Sequence, residues 1–455
     1  MGSVFDVWRR RDGRLAGIAA AETTGAQRPH ASAPPLEAPT SCRRPPPLRL
    51  VTWAIAALAL LIAHGDPVRA AATARVTGVA IDGGETRTRL LLALKSPVPF
   101  TVFALGEPYR VIVDLPEVEF DLPDSAGSKG SGLVSAFRYG LFAPGKSRMV
   151  LDMTGPVLIE RAAIAKTASG RPALEIVLAR TDAATFAKLS AEQRKKVSAA
   201  GLDQIPITTI PKPRAADPRK TKPVVVVDAG HGGLDSGAIS PKGYKEKDLV
   251  LAVALLVRDR LEASGRYKVL MTRDADYFVT LGGRVEFARE HEASLFVSIH
   301  ADTADDGRYF SVKGATVYTR SEKASDEAAR RTALKENMSD ILAGAELPEK
   351  GDAVTNILMD LVQRETRIHS RTLAEAVVGS FKRSTSMTSE PHRQAAFYVL
   401  KSPDVPSALI EIGFLSNREE ESLMQTKEWR EKMATAIAGS IDRFFEERAL
   451  ASVPY

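Results

Sequence analysis

Four residues of this 455-residue chain have types and positions that could do chemistry. His231 follows the apolar run VVVVDAG (residues 224–230), His300 closes SLFVSIH (294–300), and Glu411 lies near the end of SALIEIG (407–413). All three runs read as strands, and in open α/β sheets the carboxyl ends of strands are where ligand sites assemble. Taken singly, each histidine is also what an ordinary loop or core histidine looks like. Glu411 is harder to explain that way. With Leu409, Ile410, Ile412 and Phe414 around it, a carboxylate must be paired, protonated or turned toward an ion. Glu246 opens the amphipathic stretch EKDLVLAVALLVRDRLEAS (246–264), where a helix dipole favours an acid and points it back toward the strand ends. Two histidines and a glutamate make a catalytic zinc set with a fourth position open. Zinc there would polarise a carbonyl and acidify water, leaving Glu411 as general base and then proton donor.

The surroundings of His231, DAGHGGLDSGA, are rich in glycine, which allows tight turns and leaves room around an imidazole. Asp228, three residues earlier, is expected to accept the other ring N–H and fix its tautomer. A phosphate cradle is the competing reading of the glycines, but no Lys-Ser or Lys-Thr follows and the spacing fits no standard nucleotide motif. The remaining candidates for substrate contact, His291, His369 and His392, stand at a helix end, in a mixed helix and in a polar loop.

The elements that must position these residues alternate. After the strand at 224–230 and the helix at 246–264 come a strand at 267–273, a helix at 281–293, and strands at 294–300 and 313–319. A helix at 367–384, the strand at 407–413 and a final helix through Glu447, begun by Asn417 and Glu420 as a capping box, complete the pattern. This is an α/β domain with a mainly parallel sheet flanked by helices, over residues 222–450. Residues 71–185 instead show seven strand-like runs separated by Gly, Pro and Asp, the signature of a small all-β sandwich. Between the two, residues 186–221 read as a polar helix followed by a Pro-rich linker.

Residues 1–70 stand apart. They contain a Pro-rich stretch, the uncharged apolar run VTWAIAALALLIA (51–63) and a small-residue pattern at Val68-Arg69-Ala70, which together read as an exported leader cleaved near Ala70. Arg43-Arg44 leaves the choice between Sec and twin-arginine export open. The single cysteine, Cys42, falls in that leader, consistent with a periplasmic home and with no stable membrane span in the mature chain. The formal charge of +6 also shrinks: residues 1–70 hold nine arginines against five acids, leaving 53 basic and 51 acidic residues. A net of +2 gives no argument for nucleic acid.

The motifs DAGHGGLDSGA, GYKEKDLVLAVA, TRDADYFVTL, SLFVSIHAD, GATVYT and PSALIEIGFLSN occur in the order of the amidase_3 family. The chain resembles these N-acetylmuramoyl-L-alanine amidases, with their zinc carboxypeptidase-like fold, over about residues 222–447. The resemblance implies a hydrolase that cuts the amide between N-acetylmuramic acid and L-alanine in peptidoglycan. It implies His231, Glu246 and His300 as zinc ligands and Glu411 as the catalytic carboxylate. One departure is Leu281-Gly282-Gly283-Arg284, where two glycines weaken a helix start and the family usually has a charge. In the sandwich, YRVIVDLP (109–116) resembles the hallmark strand of the AMIN domain, which implies envelope targeting. Another zinc peptidase of the same fold, or a non-catalytic peptidoglycan-binding protein, is the alternative; an intact Glu411 argues against the latter.

Residues 319–364 form an insertion that is long for a connection in a compact domain. Ser325 as N-cap and Gly344 as stop predict one helix over 326–343, with Leu334, Met338, Ile341 and Leu342 as an apolar stripe lying in the substrate cleft. Glu336 and Asp340 are the two carboxylates expected to reach the open zinc position. Family resemblance implies an enzyme of septal wall splitting in cell division, whose zinc is blocked by such a helix until an activator carrying a LytM-like domain moves it.

Overall fold

The computed structural model describes residues 74–123, 125–167, 169–199, 222–304, 311–345 and 357–451. The leader, its cleavage position and the Pro-rich linker lie outside them. The first half is a two-sheet sandwich of nine strands: β1 (Ala74–Gly83), β2 (Arg87–Leu94), β3 (Thr101–Leu105), β4 (Arg110–Pro116), β5 (Val118–Phe120), β6 (Val134–Ala143), β7 (Lys146–Met153), β8 (Val157–Lys166) and β9 (Pro172–Arg180). One sheet runs β5-β1-β2-β9-β8, the other β3-β4-β7-β6. Their inner faces alternate apolar residues, Leu90, Leu92 and Leu94 from one sheet meeting Val111, Val113, Met149 and Leu151 from the other. Sequence reading passes over β6, because Gly140 interrupts its alternation, and over the three-residue β5. Helix α1 (Ala183–Ala199) packs Phe186 against this core and edge-on to Tyr109.

The second half holds β10 (Val224–Ala229), α2 (Glu246–Ala263), β11 (Lys268–Met271), α3 (Leu281–Glu290), β12 (Leu295–Asp302), β13 (Ala315–Arg320), α4 (Glu327–Asn337), α5 (Ser339–Leu342), α6 (Ile357–Phe381), β14 (Met387–Ala395), β15 (Ser407–Phe414), α7 (Arg418–Met424) and α8 (Lys427–Ala451). The sheet order is β11-β10-β12-β15-β13-β14, parallel except where β13 meets β15. The fold is thus α/β with a mainly parallel sheet, preceded by an all-β sandwich.

Alternation assigns the sheet's two faces. Val225, Val227, Leu295, Val297, Ile299, Ala408, Ile410 and Ile412 point to a large core shared with α2, α6 and α8. Val226, Phe296 and Leu409 point the other way, toward α3 and α4. His300 and Glu411, two residues beyond Ser298 and Leu409, share that second face and are register partners across β12 and β15.

Two caps differ from expectation. Asn417 does cap a helix, accepting from the N–H groups of Glu419 and Glu420, but that helix is only the seven-residue α7. Glu420 accepts from Phe414 N and Gly314 N instead of closing a capping box. Helix α3 forms despite its glycines: Thr280 caps it by accepting from Gly283 N, and Asp340 accepts from Leu281 N at 2.8 Å.

Candidate active site

His231 leaves the end of β10 in the left-handed region, φ 58°, a conformation that costs a non-glycine residue on the order of 1 kcal/mol or more. Two buried arginines hold the loop there. Arg284 donates to the carbonyls of Ala229 and His231 at 2.7 Å each, and Arg273 donates to those of Ala229, Gly230 and Lys247. Gly230 leaves the space that the His300 ring needs, for a Cβ there would sit 2.3 Å from His300 Cε1. The His231 and His300 rings meet edge-to-face, 4.9 Å between centroids.

Glu246, at the first turn of α2, sits between them. Its Oε1 is 3.1 Å from His231 Nε2 and 3.2 Å from His300 Nδ1. Backbone donors fix this carboxylate: Ala301 N to Oε1 at 2.9 Å and Ala238 N to Oε2 at 2.8 Å. Glu336, from α4 in the insertion, completes the ring with Oε2 at 3.3 Å from His231 Nε2 and 3.1 Å from His300 Nδ1. Ligand atoms of His231, His300 and Glu336 all fall within 4.8 Å of one another, and all three residues are buried. His231 Nε2 is buried beside two carboxylates yet makes no hydrogen bond. Ring nitrogens and carboxylate oxygens gathered this closely are the donor set that a cation such as zinc takes.

Electrostatics agree. Burial lowers the pKa of both imidazoles, but the carboxylates outweigh it: Glu246 leads in holding His231 well above its usual value, and Glu336 in raising His300 to about 10. A divalent cation would neutralise the same carboxylates. Glu411 is different. Burial first, then the charge of Asp302, push it well above the usual carboxylate range, and both its oxygens are buried with no hydrogen-bond partner. A buried carboxyl with a raised pKa has the properties that general acid–base chemistry uses.

Three expectations are corrected. Asp228 does not reach His231: Nδ1 of His231 pairs with Asp235 Oδ2 at 2.9 Å. On β10, Asp228 sits one strand pair below the rim, opposite Ser298, and accepts from Ser298, Thr272 and Arg284. It therefore acts on the loop through Arg284, whereas Asp235 is brought back beneath the imidazole by the turn that ends in the Gly232–Asp235 bridge. Asp235 stands in DAGHGGLDSGA four residues after the histidine, but only the turn brings it, and not Asp228, to the ring. Asp340 does not reach the cluster either, since its carboxylate is used on α3's N-terminus and burial raises its pKa to about 6. Finally, the insertion helix breaks at Met338 into α4 and α5, Asp326 rather than Ser325 caps it, and its apolar stripe faces out. Leu334, Met338 and Leu342 are 52%, 42% and 37% exposed. The polar face turns inward: Lys335 pairs with Asp302 at 2.6 Å, Thr332 donates to the same carboxylate, and Ser339 donates to Asp235. The cavity left between insertion and cluster, lined by His231, His300, Glu336 and Asn337 among others, measures about 10 Å³, room for one water at most. His291 bonds Phe287 O and His392, on β14, bonds Thr319; His369 faces Glu365.

A chain with this fold and this buried His-His-Glu group has the features of a hydrolase of the amidase class. It matches the family model for N-acetylmuramoyl-L-alanine amidase over residues 225–443 and that for the AMIN domain over 78–173. It is 32% identical over 391 residues to the N-acetylmuramoyl-L-alanine amidase AmiC of Escherichia coli O6:H1, covering 84% of this chain and 92% of that one. It is 43% identical over 225 residues to AmiA of Escherichia coli K12, covering 49% and 76%. Among solved structures, AmiC2 of Nostoc punctiforme is 28% identical over 49% of this chain and 97% of that one, with a TM-score of 0.36. The chain belongs to the N-acetylmuramoyl-L-alanine amidase family, with an AMIN domain ahead of the amidase domain, and is a peptidoglycan amidase. No helix among the described residues is long and apolar enough to cross a membrane.

Proposed function

We propose that this amidase is a zinc enzyme held shut by its own insertion, with His231, Glu246 and His300 as metal ligands, Glu411 as the catalytic carboxylate and Glu336 as an inhibitory fourth ligand. The observation that carries this reading is the approach of Glu336 Oε2 to both imidazoles, at 3.3 and 3.1 Å, the same two ring nitrogens that the backbone-held Glu246 approaches. Bound there, zinc supplies a Lewis acid for the scissile carbonyl and acidifies a water. Glu411 takes the proton from the attacking water and passes it to the alanine nitrogen as the C–N bond breaks, a cycle suited to a buried carboxyl with a raised pKa. Asp235 keeps the His231 tautomer that leaves Nε2 free to ligate.

A wall hydrolase closed at rest fits a role in septal splitting in the periplasm, where activity is needed at one place and time. The sandwich would place the enzyme at the envelope. The outward Leu334, Met338 and Leu342 suit an activator with a LytM-like domain that draws the helix away, shifting an existing equilibrium.

Glu411→Gln tests the chemistry, because it keeps the shape and removes the base. Metal analysis should find about one zinc per chain in parent and variant, with sacculus binding kept and turnover lower by about 10² or more. Absence of zinc from parent purified without chelator, or near-normal turnover by the variant, overturns the assignment.

A further inference from the structure

The AMIN-type strand β4 is buried on both faces, although the sandwich needs only one. Val111, Val113 and Leu115 fill the sandwich core, while Arg110, Ile112 and Asp114 point outward with Val150 and Arg148 of β7. What covers that outer face is the catalytic half. Phe103, Leu105, Ile112, Phe142, Ala143 and Val150 pack against Leu234 and Phe278 beside the His231 loop, and against Ala343 at the end of the insertion helices. Phe278 N donates to Leu141 O at 3.1 Å, joining β6 to the segment before α3.

The polar contacts converge on carbonyls at the end of α5 and in the two residues that follow it. Arg110 donates to Ile341 O, and Arg148 Nη1 donates to Gly344 O at 2.8 Å and to Ala343 O at 3.4 Å. Carbonyls at a helix C-terminus have no partner within the helix, so cations are favoured there. Arg148 is aimed in advance. Asp114 accepts from Nε and Nη2 at 2.6 and 2.9 Å, and the guanidinium lies 3.6 Å from the centroid of Phe142. The fit is close on the insertion side too: Gly344, φ 63°, passes so near β4 that a Cβ would come within 2.4 Å of Ile112 Cδ1.

We infer that the outer face of the AMIN sheet is a clamp whose occupant is the end of the chain's own insertion, so that the N-terminal domain helps hold Glu336 over the catalytic centre. The inference rests on the plug reading above. The motif residues Arg110 and Asp114 thus act on the amidase domain: Arg110 directly, Asp114 by orienting Arg148. Residues 339–344 are gripped from two sides, by Asp235 and α3 in the catalytic half and by two arginines in the sandwich, and loss of either grip frees the segment that carries Glu336.

The test uses the whole mature chain. Arg110→Gln with Arg148→Gln removes the grip from the sandwich side, and Gly344→Val wedges it open from the insertion side. Either variant should raise basal activity on sacculi by roughly tenfold, the scale of losing one or two charge-assisted hydrogen bonds, and speed hydrogen exchange of amides 327–342. A third protein with residues 322–350 replaced by a Gly-Ser linker should be active, and the arginine changes should add nothing to it. If that linker protein is active while both clamp variants fold with parental activity and exchange, the clamp is wrong and the plug stands. If the linker protein is folded, zinc-loaded and no more active than the parent, the plug reading falls and the clamp with it.

Discussion

Glu246 and Glu336 approach the same two imidazoles at nearly the same distances, 3.1 and 3.2 Å against 3.3 and 3.1 Å, yet they are mounted in opposite ways. Glu246 begins an 18-residue helix whose Leu249, Val250 and Val253 are in the main core, and two backbone N–H groups hold its oxygens. Glu336 stands near the end of an 11-residue helix with an outward apolar side, tethered by side-chain contacts at Lys335, Ser339 and Asp340 and by arginines from another domain. Moving Glu246 would require opening the core. Moving Glu336 requires breaking polar contacts and lifting only small apolar side chains, Ala329, Ala333 and Ala343, from their packing. On the proposed reading, the same carboxylate chemistry would serve as a permanent ligand in one mounting and as a removable stopper in the other.

The largest effect should come from Glu246→Ala. It removes a buried carboxylate between two histidines, so zinc should be lost and amidase activity fall by more than the 10- to 100-fold typical of losing a supporting partner. Retention of zinc and activity would show that Glu246 only shapes the site. Glu336→Ala should do the reverse, keeping zinc and raising basal activity, by about tenfold for every 1.4 kcal/mol of docking lost. A Glu336→Ala protein that loses its zinc would make the two glutamates equivalent and end the distinction.

The smallest effect concerns the tether at Asp340. Burial raises its carboxyl from 3.8 in the unfolded chain to about 6, so the docked state prefers the protonated form. That stabilisation is complete below pH 3.8 and is lost as pH rises through about 6. Asp340→Asn keeps an acceptor for Leu281 N without the charge. It should melt like the parent at pH 4 and be more stable by on the order of 1 to 2 kcal/mol above pH 7. Equal melting curves across that range would mean that the Asp340 charge is solvated in the docked state.

How far the sequence carries can be seen residue by residue. The strand runs 224–230, 294–300 and 407–413, the helix from Glu246 and the alternation of 71–185 are local patterns with periods of 2 and 3.6, and local patterns survive without tertiary information. They put His231, His300 and Glu411 at strand ends and Glu246 at a helix start, and the family motifs gave those positions their roles. Asp228 and Asp235 could not be told apart that way, because the choice depends on a left-handed turn at His231 stabilised by Arg273 and Arg284 from 40 to 60 residues away. The insertion's apolar stripe was legible, but its direction was not. Periodicity says that a helix has two faces; which one turns inward is set by the buried partners on offer, here Asp302, Asp235 and two imidazoles that reward a polar face. The second face of YRVIVDLP is the same case. Its alternation of Arg, Ile and Asp with valines reads as a strand with a wet side, and only the packed chain decides that this side meets the insertion, since contacts between residues 110 and 341 leave no trace in the local pattern of either.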